Sequence, residues 1–96
     1  MASVSLGDTE VVFAALAHEA RRNILLTLSH LGGELPSGYL AARFQHSWPT
    51  TTRHLGVLEA AGLVTATQNG RVRTYRVELD QLSHVHDWLR WFDKTK

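Results

Sequence analysis

The stretch Ser47-Trp48-Pro49-Thr50-Thr51-Thr52-Arg53-His54 gathers four hydroxyls, one guanidinium and one imidazole in eight residues. Threonine is a poor helix former, because its β-branch loses rotamer freedom against the preceding turn. Ser47 nevertheless suits an N-cap, and Pro49 suits a first turn where its missing N–H costs nothing. The poor formers therefore open a helix, at a sacrifice of about a few tenths of a kcal/mol each. Hydroxyls and a helix amino terminus suit phosphate oxygens, a threonine methyl packs on a thymine methyl, and arginine forks onto guanine O6 and N7. The same residues would also serve as a plain solvated helix cap. A second group separates the two readings. In TQNGRVRTYR, Arg71 and Arg73 are two residues apart, which predicts that they share one face of a strand just after a turn. A paired-strand wing placed there can touch a phosphate backbone or enter a minor groove.

Other chemistries find little support. The six histidines, at 18, 30, 46, 54, 84 and 86, show no nucleophile-base spacing, and there is no glycine-rich phosphate loop or paired-carboxylate site. No enzymatic activity and no cofactor are expected. The absence of cysteine excludes disulfides, thiolate metal sites and cysteine nucleophiles. Asp80 with His84, or His84 with Asp87, could share a helix face and offer ligands to zinc, nickel or cobalt, but exposed polar residues, or local pairs near aromatic rings, are the preferred reading. His84 and His86 point apart on a helix and cannot chelate together.

The elements that must position these groups follow from periodicity. Asp8 or Thr9 caps a first helix, EVVFAALA, after a frayed segment over residues 1–7. In HEARRNILLTLSHLGG, Ala20, Ile24, Leu28 and Leu31 recur at helical spacing, with Leu25 beside them, until Gly32 and Gly33 stop the helix. Ser37 caps a short third helix with Tyr39, Leu40 and Phe44 on its apolar face. The fourth helix, capped by Ser47, buries Leu55, Leu58 and Ala61 and ends before Gly62. LVTATQ and VRTYRVEL then read as strands joined by the hairpin signal QNGR. A last helix, LDQLSHVHDWLRWFDKTK, carries Leu82, Val85, Leu89 and Phe92 on one stripe, widened by Trp88 and Trp91. The expected order is ααααββα: one mainly α domain over residues 1–96, a helix-turn-helix followed by a β-hairpin wing.

Composition bounds the partners. With 96 residues and 44% hydrophobic content the chain can bury one compact core. Ten Lys plus Arg stand against nine Asp plus Glu, yet Arg43 to Val77 holds five arginines and one acid, Glu59. That one-sided field suits an anionic partner. No apolar run is long enough to cross a bilayer, and MASVSLGDTE has neither a basic n-region nor an apolar h-region. The expected setting is the cytoplasm.

Over roughly residues 9–93 the chain resembles the arsenic-repressor-type (ArsR/SmtB) winged-helix regulators. Their pattern is a capped Pro-Thr segment, then His-Leu-x-x-Leu-x-x-Ala-Gly-Leu-Val, then a Gly-Arg wing closing on Tyr-x-Leu/Val. His54, Leu55, Leu58, Ala61, Gly62, Leu63 and Val64 match it, as do Gly70, Arg71 and Tyr75. The resemblance implies a homodimeric repressor of a palindromic double-stranded DNA operator that dimerises through its first and last helices. Candidate DNA contacts are Ser47, Trp48, Pro49, Thr50, Thr52, Arg53, His54, Arg71 and Arg73, with His54 structural or touching phosphate rather than reading a base. Candidate dimer contacts are Val12, Phe13, Leu82, Val85, Trp88, Leu89, Trp91 and Phe92. The chain departs from the metal-sensing members: ELPSGYL places Pro36 and Gly38 where they carry cysteines, and Asp80, His84, His86 and Asp87 do not match the spacing of the second family metal site. An effector is left open. Thr51 stands where the family often has a buried aliphatic residue, and since a threonine hydroxyl can bond back to the carbonyl four residues earlier, the fold is not threatened. The alternative function is a winged-helix module for protein-protein contact without specific DNA binding.

Overall fold

The computed structural model describes residues 6–44 and 47–93. In chain order they form α1 (Leu6–Leu16), α2 (Glu19–His30), β1 (Glu34–Pro36), α3 (Ser37–Arg43), α4 (Trp48–Ala60), β2 (Val64–Asn69), β3 (Val72–Val77), a 3-10 turn (Leu79–Leu82) and α5 (Ser83–Arg90). The helix-turn-helix and the hairpin stand where the sequence puts them.

Four boundaries differ from expectation. Strand β1 is additional: it pairs antiparallel with β3, Leu35 opposite Tyr75, in a three-stranded sheet of order β1-β3-β2. Three residues are too few to show alternation, and Pro36 is tolerated because β1 is an edge strand. α1 opens at Leu6, so Asp8 lies within its first turn, where a carboxylate meets the positive helix end, rather than at its cap. The expected frayed segment lies outside the described residues up to residue 5, while Leu6 and Gly7 are helical. Pro36, not Ser37, is the cap position of α3. The last helix is split, its first four residues winding as the 3-10 turn before α5, and its expected end at residues 94–96 lies outside the described residues.

The core gathers Ile24 and Leu28 of α2, Leu40 of α3, Leu55 and Leu58 of α4, Leu63 and Val64, and Tyr75 of β3. Each fully buried aliphatic side chain there contributes about 1.5–3 kcal/mol of transfer free energy. Leu31 and Tyr39, expected on the apolar faces, are instead exposed, Leu31 because α2 ends one residue before it. Gly62 ends α4. The Gly62 N–H bonds the Glu59 carbonyl at 3.0 Å and the Leu63 N–H bonds that of Leu58 at 2.9 Å, with Gly62 at φ +77°. That left-handed closure reverses the chain directly from α4 into β2.

Candidate nucleic-acid interface

Ser47 caps α4 as expected, its Oγ accepting from the Thr50 N–H at 3.3 Å and donating to Thr50 Oγ1 at 2.9 Å. Leu55 and Leu58 face the core, and this fixes the direction of every other side chain on the helix. Trp48, Pro49, Thr52 and Arg53 are exposed, and Thr50 is half-buried. Arg53 makes no ion pair among the described residues. Gly56 and Ala60 continue the same exposed face. Sequence reasoning passed over these two small residues, although their spacing from Thr52, four and eight positions on, was the available signal. With no bulky side chain at either, the helix surface stays low on that side of Arg53, while Val57, four positions on, is exposed on the other.

Two residues of the motif turn inward. Thr51 is 2% exposed, and its Oγ1 has no hydrogen-bond partner. The Ser47 carbonyl accepts the Thr51 backbone N–H at 3.0 Å, and the hydroxyl does not add a second bond to it. His54 is 7% exposed. Its Nδ1 lies 3.3 Å from Arg21 Nη1, and its ring sits 4.5 Å from that of His18, whose own Nδ1 accepts from the Ala20 N–H to cap α2. His54 therefore joins the recognition helix to α2 and presents little of itself to a ligand, which corrects its place among the candidate contacts. Arg21 is fixed in turn by carbonyls at the end of α1, with Nε donating to Ala15 O and Nη2 to Ala14 O.

The wing also differs from its sequence picture. Asn69 pairs with Val72, so the hairpin loop is Gly70-Arg71, with Gly70 at φ +63° in its first position. Arg71 is thus at the tip, not on the strand, and Arg71 and Arg73 do not share a strand face. Arg71 is exposed and makes no ion pair among the described residues. Arg73 is half-buried and tied on several sides. Its Nε donates to the Tyr75 hydroxyl at 3.0 Å, Nη1 reaches Gln68 Oε1 at 3.5 Å, and Nη2 reaches Glu59 Oε1 at 3.4 Å. The bond to Tyr75, and then Glu59, raise its pKa above the ordinary arginine value, so this cation is permanent. Arg73 braces the wing against the end of α4 and is not an unengaged charge.

A second surface lies where α5 packs on α1. The Phe13 ring meets Trp88 edge-on at 5.2 Å, and Trp88 meets Phe92 at 4.9 Å. Beyond these rings Leu89 and Phe92 are exposed, and Trp91 is 82% exposed. Val12, a candidate dimer contact, is 0% exposed and belongs to the core, since its stripe on α1 faces inward. Leu82 and Val85 are partly buried and pack on the same core. His84, read as an exposed polar residue or part of a local pair, is buried, with Nδ1 3.2 Å from Thr9 Oγ1. Asp87 pairs with Arg90 at 3.6 Å and Asp80 lies in the 3-10 turn, so the candidate ligands Asp80, His84 and Asp87 do not converge. Among the described residues no three His, Cys, Asp or Glu side chains are grouped to hold a metal ion.

Residues 16–66 match a helix-turn-helix domain family. The chain is 31% identical over 82 residues to the biofilm growth-associated repressor of Agrobacterium fabrum, covering 85% of this chain and 68% of that one. It is 30% identical to the transcriptional repressor SdpR of Bacillus subtilis, covering 81% and 84% of the two chains. The fold matches a solved ArsR family transcriptional regulator at a TM-score of 0.84, with 29% identity across 98% of this chain and 100% of that one.

Proposed function

The chain belongs to the ArsR family of winged helix-turn-helix transcriptional regulators, and from that membership we propose that it acts as a homodimer on a palindromic operator. It is a DNA-binding transcriptional repressor, not an enzyme. In the proposed complex, α4 enters the major groove with Thr52 and Arg53 toward base edges, and with Ser47, Trp48, Pro49 and Thr50 at its amino-terminal end against sugar and phosphate. Arg71 at the wing tip holds the flanking backbone, while Arg73 and His54 stay in the supporting structure. The observation that carries this reading is the pair of exposed guanidiniums, Arg53 and Arg71, that make no ion pair among the described residues. One stands on the solvent face of the recognition helix and the other at the end of the wing.

A two-fold dimer built through α5 and the adjoining part of α1 would set the two recognition helices about 34 Å apart, one turn of B-DNA. Both must seat together, so a small rotation between subunits releases the operator, and an effector would act by favouring that rotation. Among the described residues no helix is long and apolar enough to cross a membrane, and action in the cytoplasm is part of the proposal.

The test is selection of bound duplexes from a random pool, followed by titration of the recovered sequences at several salt concentrations. A palindrome with half-site centres about 10 base pairs apart, bound with a steep salt dependence, is the expected result. Recovery of no consensus from a folded dimer would overturn it and leave a protein-contact module.

A further inference from the structure

On the side of α2 turned away from the core, a groove of about 430 Å³ separates its carboxy-terminal half from the end of α3. Its apolar lining is Leu26, Leu31 and Phe44, and its polar lining includes Asn23, His30 and Arg43, with no carboxylate among the described residues. Leu26 breaks the pattern of its own helix. Ile24, Leu25 and Leu28 face the core, whereas Leu26 is exposed among polar neighbours, and Leu31 just beyond the helix is exposed as well. Arg43 lies with its guanidinium carbon 6.0 Å from the centre of the Phe44 ring and makes no ion pair among the described residues.

Each feature constrains an occupant. Exposed leucines beside an aromatic ring favour an apolar body, a cation without a counter-ion favours an anion, and the planar fork of arginine matches a carboxylate better than a diffuse negative charge. The volume is that of a small-molecule site. We infer that this groove binds an amphipathic organic carboxylate, with Arg43 receiving the carboxylate and Leu26, Leu31 and Phe44 covering the apolar part. Such a ligand would bridge α2 and α3, the first helix of the helix-turn-helix. α3 packs chiefly on α4 and the sheet, so the bridge would strengthen its tie to α2, which otherwise rests on Leu40 in the shared core.

The binding does not depend on the DNA reading and is tested without DNA. Amide spectra of the full chain are titrated with 2-naphthoate, whose ring currents mark its neighbours, and with the uncharged 2-naphthalenemethanol. Saturable shifts at Leu26, Leu31, Arg43 and Phe44 are expected, with affinity weaker by about fivefold or more for the alcohol and for Arg43→Gln, through loss of a charge-assisted contact. Leu26→Asp, at an exposed position that does not threaten folding, should abolish the shifts. Absence of saturable shifts, shifts centred on Trp88 and Trp91, or equal binding of acid and alcohol would each overturn the proposal.

Discussion

At the scale of single residues, Thr51 carries an avoidable cost. Its hydroxyl is buried without a partner, and a buried unsatisfied group of this kind costs about 1–3 kcal/mol. Thr51→Val keeps the shape and the β-branch while removing the oxygen, so the variant should be more stable by about 1 kcal/mol, raising Tm by about 4–8 °C for a domain of this size. Thermal unfolding followed by circular dichroism measures this, and an unchanged or lower Tm would mean that the hydroxyl has a partner in solution. Operator affinity should not change, because Thr51 faces the core. The sequence showed that Thr51 was an unusual choice for a buried position but not that its hydroxyl would go unpaired, since that depends on side-chain orientation within the packed core. Which of the two roles expected for His54, structural or phosphate-touching, it fills was not legible either. Its motif position was legible, but its burial depends on Arg21 and His18, which lie 33 and 36 positions earlier in the chain.

At the scale of elements, the recognition helix and wing were legible because each has strong local signals: a Ser-x-Pro cap and an apolar stripe for one, alternation around a glycine turn for the other. The three-residue β1 was not, because it exists only through pairing with a strand some 40 positions later in the chain. The division of labour between the two wing arginines was also hidden, because one residue of hairpin register decides it. With Asn69 opposite Val72, Arg71 falls in the loop and Arg73 falls beside Glu59 and Tyr75. Their substitutions should therefore differ in kind. Arg71→Gln removes a phosphate contact, and the slope of log affinity against log salt should fall by about 0.9 per subunit. Arg73→Gln loosens the wing against α4, so affinity should fall while the slope stays the same. Exchanging the charges in an Arg73→Glu, Glu59→Arg double variant should restore part of the loss. A slope change in Arg73→Gln equal to that of Arg71→Gln would return Arg73 to the DNA contacts.

At the scale of the whole molecule, the sequence already implied that the last helix carries more apolar surface than so small a domain can cover. The structure divides that surface unevenly: Leu82 and Val85 lean on the core, Trp88 is pinned between Phe13 and Phe92, and Leu89, Trp91 and Phe92 stand outward. Because Leu89 is 52% exposed, a charge placed there leaves the protomer core intact. The same charge buried in a two-fold interface would face its own copy across the axis or lie unpaired in an apolar contact, and either is costly. Leu89→Glu should therefore give a folded monomer by sedimentation, with an unchanged helical spectrum. Its operator affinity should fall by about 100-fold or more, because each half-site is then bound without the effective concentration that linkage provides. A Leu89→Glu protein that sediments as a dimer would move the interface away from α5. If instead it were monomeric yet bound the full operator as tightly as the parent, a single α4 with its wing would account for the affinity, and the palindrome would have no mechanical role.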